Sequence, residues 1–124
     1  MGSRRDALIV EDEAIITMVL KQTLSVHGFR ALGVAKTGEE AISMAERLQP
    51  DLILMDISLQ GEMDGIETAR TILAARRLPV VFLTSYSDTA TMKQAQELNP
   101  AGDIIKPVQP EELIEILVAA LESN

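Results

Sequence analysis

Residues 52–56 read Leu52-Ile53-Leu54-Met55-Asp56, four consecutive apolar side chains stopped by a carboxylate. A strand with one face in water alternates polar and apolar residues, whereas an unbroken apolar run fits a strand covered on both faces. Three further runs have the same form. Ala7-Leu8-Ile9-Val10 ends at Glu11-Asp12, Val80-Val81-Phe82-Leu83 ends at Thr84, and Asp103-Ile104-Ile105 ends at Lys106. Ala31 to Ala35 reads as a weaker strand between the first two.

The stretches between these runs have helical period. Ile16, Val19, Leu20 and Leu24 form one stripe, with Gly28 placed as its stop. Thr37 and Glu40 have capping-box spacing ahead of Ala41, Met44, Ala45 and Leu48, and Pro50 closes that segment. A loop with Gly61 and Gly65 leads to Ile66, Ala69 and Leu73, after which Pro79 opens the next strand. The helix expected from about Asp88 to Leu98 is the least apolar, with Met92, Ala95 and Leu98 to bury. Asn99-Pro100-Ala101-Gly102 is a turn. Pro110 fits the first turn of a last helix, with Glu111 and Glu112 near its positive end and Leu113, Ile116, Leu117, Ala120 and Leu121 as its stripe.

Five strands alternating with five helices predict an α/β domain, a parallel sheet with helices on both faces and right-handed crossovers. Residues 1–124 are expected to form one domain with its core over about 7–121, residues 1–5 being a tag or disordered. In such a sheet ligands bind beyond the carboxyl ends of the strands. Glu11, Asp12, Asp56, Thr84 and Lys106 all fall at those ends.

The bulk composition removes several functions. Eleven Lys and Arg against 19 Asp and Glu leave a net charge of -8, which disfavours direct binding to nucleic acid or to an anionic membrane. There is no Cys, so disulfides, thiol nucleophiles and Cys-ligated zinc are excluded. The single His, His27, precedes Gly28 at a helix end, where it suits the dipole better than a phosphotransfer role. No apolar stretch reaches membrane-span length and no signal-peptide core is present, so a cytoplasmic location is expected.

Three carboxylates, a hydroxyl and an ammonium in one crevice suit a divalent cation and a phosphoryl group. Asp56 is the candidate nucleophile, since a carboxylate can attack phosphorus to give an acyl phosphate. A strand-end Asp can also simply cap the following turn. Crowding Glu11 and Asp12 beside it, however, is unfavourable without a cation, and magnesium fits because it takes few carboxylates and keeps waters and phosphate oxygens. Lys106 would neutralise the phosphoryl group. Pro107 after it permits a cis bond that would direct the lysine. Thr84 could donate to a phosphoryl oxygen, and the small Ser85 leaves room for entry.

The ordered set of Glu11-Asp12, Asp56, Thr84-Ser85 and Lys106-Pro107 resembles the receiver domain of two-component response regulators. The segment from Asp56-Ile57-Ser58-Leu59 through Met63-Asp64-Gly65-Ile66 is also similar to that family's loop after the phosphoacceptor. The resemblance implies a flavodoxin-like doubly wound sheet of strand order 2-1-3-4-5 and phosphorylation of Asp56 by a bacterial histidine kinase or phosphotransfer protein. It implies magnesium held by Asp12, Asp56 and the Ser58 main-chain carbonyl, with Glu11 acting through water, and Thr84 and Lys106 on the phosphoryl oxygens. Signal output is expected through a downstream protein or a fused output domain, at the last two helices and strand five, where a homodimer could also form. The resemblance is compatible with a stand-alone regulator, a phosphorelay intermediate or part of a longer protein.

One position departs from the pattern. Three residues before the strand-five Lys the family usually carries Tyr or Phe, and here stands Asp103. Tyr86 could take over part of that ring's role, gate access to Asp56, or be an ordinary loop aromatic. Asp103 could instead repel or recruit a partner. Three rival functions fit the residues less well. A phosphatase of the haloacid-dehalogenase type needs a second Asp at position 58, where this chain has Ser58. An FMN binder needs a phosphate-cradling loop where Glu11-Asp12-Glu13 would repel phosphate. A degenerate receiver acting only as an interaction module would not need the complete set of five groups.

Overall fold

The computed structural model describes residues 5–85 and 89–122. Tyr86 lies outside the described residues. The chain runs β1 (Asp6–Val10), α1 (Ala14–Val26), β2 (Arg30–Ala35), α2 (Gly38–Leu48), β3 (Leu52–Asp56), α3 (Gly65–Ala75), β4 (Val80–Thr84), α4 (Thr89–Gln96), β5 (Gly102–Ile105) and α5 (Pro110–Glu122). The strands pair in parallel in the order β2-β1-β3-β4-β5, as expected.

The consecutive apolar residues of β3 explain the two-sided packing. Ile53 and Met55 join Leu8, Val10, Phe82 and Ile66 in one core layer, with α2, α3 and α4 contributing Ala41, Ala69 and Ala95. Leu52 and Leu54 face the other way, packing with Ile9, Leu83 and Ile104 against Leu20 and Leu24 of α1 and Leu113 and Leu117 of α5. Each fully buried Leu or Ile contributes about 1.5–3 kcal/mol relative to exposure.

Local signals set the helix ends. Thr37 Oγ1 accepts from Glu40 N–H at 3.1 Å, while the Glu40 carboxylate turns back to the N–H of Lys36 at 2.7 Å, one residue earlier than a standard capping box. Asp64 caps α3 by accepting from Glu67 N–H at 2.8 Å. Gly28 stops α1 with φ of 82°.

Two expectations about the helices need correction. In α1, Val19 is 37% exposed, and Thr23 takes its place in the buried set at 6%. The Thr23 hydroxyl donates to the Val19 carbonyl at 2.8 Å, so the residue buries no unpaired polar group. The fourth helix is shorter than its apolar spacing suggested, ending at Gln96. The chain leaves it through Asn99 in the left-handed region at φ of 52°, with Asn99 N–H on the Gln96 carbonyl. Of its expected stripe only Ala95 is fully buried, Met92 and Leu98 being partly so. At the other end of the chain, Arg5 accepts a backbone hydrogen bond from Arg30 at 2.8 Å, and its guanidinium sits 4.9 Å from the Phe29 ring centroid.

Candidate functional site

The carboxyl ends of β1, β3, β4 and β5 open on one crevice. Parallel pairing of β1 with β3 puts Val10 beside Met55, so the residues that follow, Glu11-Asp12 and Asp56, emerge side by side. Glu11 is anchored by its N–H on the Ala35 carbonyl at 3.0 Å, and the turn after β3 by Ile57 N–H on the Leu83 carbonyl at 3.1 Å. Glu11, Asp12 and Asp56 each present a carboxylate oxygen, all within 4.8 Å of one another. Glu11 and Asp56 are buried, at 0% and 2% exposure.

Lys106 enters from the far edge of the sheet. Its N–H donates to the Thr84 carbonyl at 2.7 Å, and the Lys106–Pro107 bond is cis. The ammonium lies 3.2 Å from Asp56 Oδ1, 3.3 Å from Glu11 Oε1 and 3.5 Å from Glu13 Oε1. Thr84 closes β4 as a buried residue, and Ser85 beside it is half-buried. Ser58 N–H donates to Asp56 Oδ1 at 3.0 Å, so the acid does cap its turn while keeping its place in the crevice.

Glu13 is the member to which the sequence pattern assigns no role. Its signal is present as a third acid after Glu11-Asp12, but only the return of the β5–α5 loop brings it to Lys106. Asp103 and Pro107 lie outside the crevice as exposed residues, Asp103 pairing with Phe82 across the edge of the sheet. A cavity of about 550 Å³ between Leu73, Leu78, Pro79 and Leu98 shares no residue with the crevice.

The donor set fits a hard divalent cation. It offers oxygen atoms only, and Glu11 Oε1 is buried without accepting an aligned hydrogen bond. Burial, and then the neighbouring Asp56 charge, push the Glu11 carboxyl up to about 7, against the pull of Lys106 and the Glu13 N–H. For Lys106, burial acts downward, but the Asp56 and Glu11 charges outweigh it and hold the ammonium above the usual lysine value.

A pH dependence follows for the cation-free protein. Between the ordinary carboxyl value of 4.5 and about 7 the folded chain keeps a proton on Glu11 that the unfolded chain has released. Unfolding therefore releases a proton in that window, and stability falls as pH rises through it. Denaturant unfolding in chelator across that range should show this decline in the wild type and a shallower one in Glu11→Gln. Parallel curves would refute the assignment.

The profile of the family described as "Response regulator receiver domain" matches residues 7–118. The transcriptional regulatory protein PdtaR of Mycobacterium tuberculosis is 35% identical over 117 residues, covering 94% of this chain and 57% of that protein. The DNA-binding response regulator MtrA of Mycolicibacterium paratuberculosis is 34% identical over 121 residues, covering 98% and 53% respectively. The chain thus spans little more than half the length of these curated relatives. Among solved structures, the signal receiver domain of a modulated diguanylate cyclase from Desulfovibrio desulfuricans G20 superposes with a TM-score of 0.90 at 39% identity, covering 95% of this chain and 94% of that one.

Proposed function

This chain belongs to the response regulator receiver domain family, phosphoacceptor signalling domains of two-component systems, and from that membership we propose that Asp56 is the acceptor. The observation that carries this reading is the approach of the Lys106 ammonium to within 3.2 Å of a buried Asp56 oxygen, beside two further carboxylates.

In this reading an Asp56 oxygen bonds to phosphorus as the P–N bond of a phosphohistidine breaks. The bond's electron pair returns to the imidazole, which takes up a proton. Lys106 and the Thr84 hydroxyl receive the phosphoryl oxygens. Asp12, Asp56 and the Ser58 carbonyl would hold magnesium, with Glu11 supporting it. The cation would supply charge neutralisation for the phosphoryl group. Loss of the group follows when water attacks phosphorus, the acyl O–P bond breaks and the Asp56 carboxylate is restored with release of inorganic phosphate. Ser85 keeps the mouth of the crevice open. These steps occur on the domain itself, which acts as a regulator and not as an enzyme turning over a free substrate.

The donor is a histidine kinase or phosphotransfer protein. A macromolecular donor suits the rim, where Ile15 is 78% and Met18 68% exposed on the first turns of α1. Beside them a groove of about 450 Å³ is lined by Ile15, Ile16, Val19, Pro107 and Val108 between Glu13 and Lys106. A protein that brings a phosphohistidine to Asp56 must cover this rim and can bury its apolar surface. Output passes through α4, β5 and α5 to a fused domain or separate partner, or by pairing with a second copy, with Asp103 and the exposed Ile105 on that face. No helix among the described residues is long and apolar enough to cross a membrane, and a cytoplasmic site of action is part of this reading.

Incubation with acetyl phosphate and magnesium, followed by intact mass, should show one added phosphoryl group that chelator prevents. An unmodified mass in both conditions would overturn the assignment.

A further inference from the structure

We propose that Glu13 is a positioning residue for Lys106 and a charge gate that slows the approach of an anionic phosphodonor to Asp56. The inference rests on the phosphoacceptor reading above.

Lys106 is held from two directions. Asp56 and Glu11 draw its ammonium inward at 3.2 and 3.3 Å, and both are buried. Glu13 draws it outward at 3.5 Å from a side chain that is 64% exposed. The backbone of Glu13 is fixed to the crevice, since its N–H donates to Glu11 Oε2 at 3.2 Å and its carbonyl accepts from Thr17 at 3.0 Å. Its carboxylate is not committed to the helix: Glu13 is the N-cap of α1, yet its side chain makes no capping hydrogen bond. A fixed backbone with a carboxylate free of the helix puts a negative charge at the mouth, within reach of the ammonium that faces Asp56.

Two effects follow, and they have the same sign. An incoming phosphoryl group is itself negative, so it meets a like charge at the entrance, and that repulsion is screened by salt. To reach a phosphoryl oxygen, Lys106 must also release Glu13. Glu13 therefore lowers the rate at which Asp56 is modified and leaves the chemistry of the attack to the buried groups.

The test is the rate of modification by acetyl phosphate in saturating magnesium, for wild type, Glu13→Gln and Glu13→Lys. At low ionic strength the Gln variant should react about two- to fivefold faster, and the Lys variant faster again. Both advantages should shrink as salt is raised from about 20 to about 500 mM. A purely structural role would shift the unfolding midpoint without changing the salt dependence. Equal rates for all three proteins, or rate differences that salt does not reduce, would overturn the gate. A wild type that is never modified would instead overturn Asp56 as acceptor, so the two failures are distinguishable.

Discussion

Asp56→Asn is expected to yield a protein that takes no phosphoryl group from acetyl phosphate and that, without divalent cation, is harder to unfold than the wild type. The amide keeps the shape of the side chain, which is 2% exposed, so packing is retained. It removes the anionic oxygen that would bond to phosphorus. It also removes one of three carboxylates crowded within 4.8 Å and part of the pressure that raises Glu11 to about 7. Relief of that repulsion is worth on the order of 1 kcal/mol after loss of the Lys106 contact is set against it. Lys106 retains Glu11 and Glu13 as partners at 3.3 and 3.5 Å. Intact mass and denaturant unfolding in chelator read the two halves separately. A labelled Asn variant would exclude Asp56 as the acceptor. A variant less stable than wild type would show that the ion pair outweighs the repulsion.

Gly65→Ala should be the most damaging small substitution near the site. Gly65 begins α3, is buried, and donates its N–H to the Ile57 carbonyl at 2.9 Å. A methyl group there would overlap the backbone carbonyl oxygen of Asp56 and lie 2.8 Å from the Ile57 Cα. These are backbone atoms of a central strand end and cannot move aside cheaply. Either α3 withdraws or the turn carrying Asp56 and Ser58 shifts, at a cost of about 3 kcal/mol or more. Magnesium affinity should fall at least about tenfold, because small displacements of ligating groups are costly. Gly61→Ala is the control. Gly61 has φ of 99° but nothing within 4 Å of where a methyl would stand, so strain of about 1 kcal/mol is expected with little change in cation binding. Denaturant unfolding and a magnesium titration check both. Wild-type affinity in a folded Gly65→Ala protein would show that Gly65 does not set the turn.

The strands were legible because Leu52 to Met55 and its counterparts are apolar without alternation, a pattern with few other solutions. The strand ends were legible for the same reason, since Asp56, Thr84 and Lys106 interrupt those runs. In α1 the apolar residues outnumber the positions one face can bury. Periodicity alone therefore could not show that Thr23 packs inward while Ile15, Met18 and Val26 face solvent. The contact of Glu13 with Lys106 was hidden because it joins residues remote in sequence, and no local pattern encodes it. Gly65 was visible as a loop glycine, but the backbone it nearly touches belongs to another element. In α4 a polar composition left the helix length to the turn at Asn99 and not to an apolar stripe.

Glu11 lies near one end of the chain and Lys106 near the other, and the ammonium reaches the crevice only because β5 pairs with β4, its sole neighbour in the sheet. Without β5, any assembly of the three acids from β1 and β3 would lack the Lys106 counter-charge. The last strand therefore supplies the neutralising group to the acid cluster. Cutting the chain at the Asn99–Ala101 turn should leave two net-negative pieces that the burial of Ile104, Leu113 and Leu117 would have to reunite before Lys106 could reach the acids, which makes that turn a split point for a two-fragment reporter.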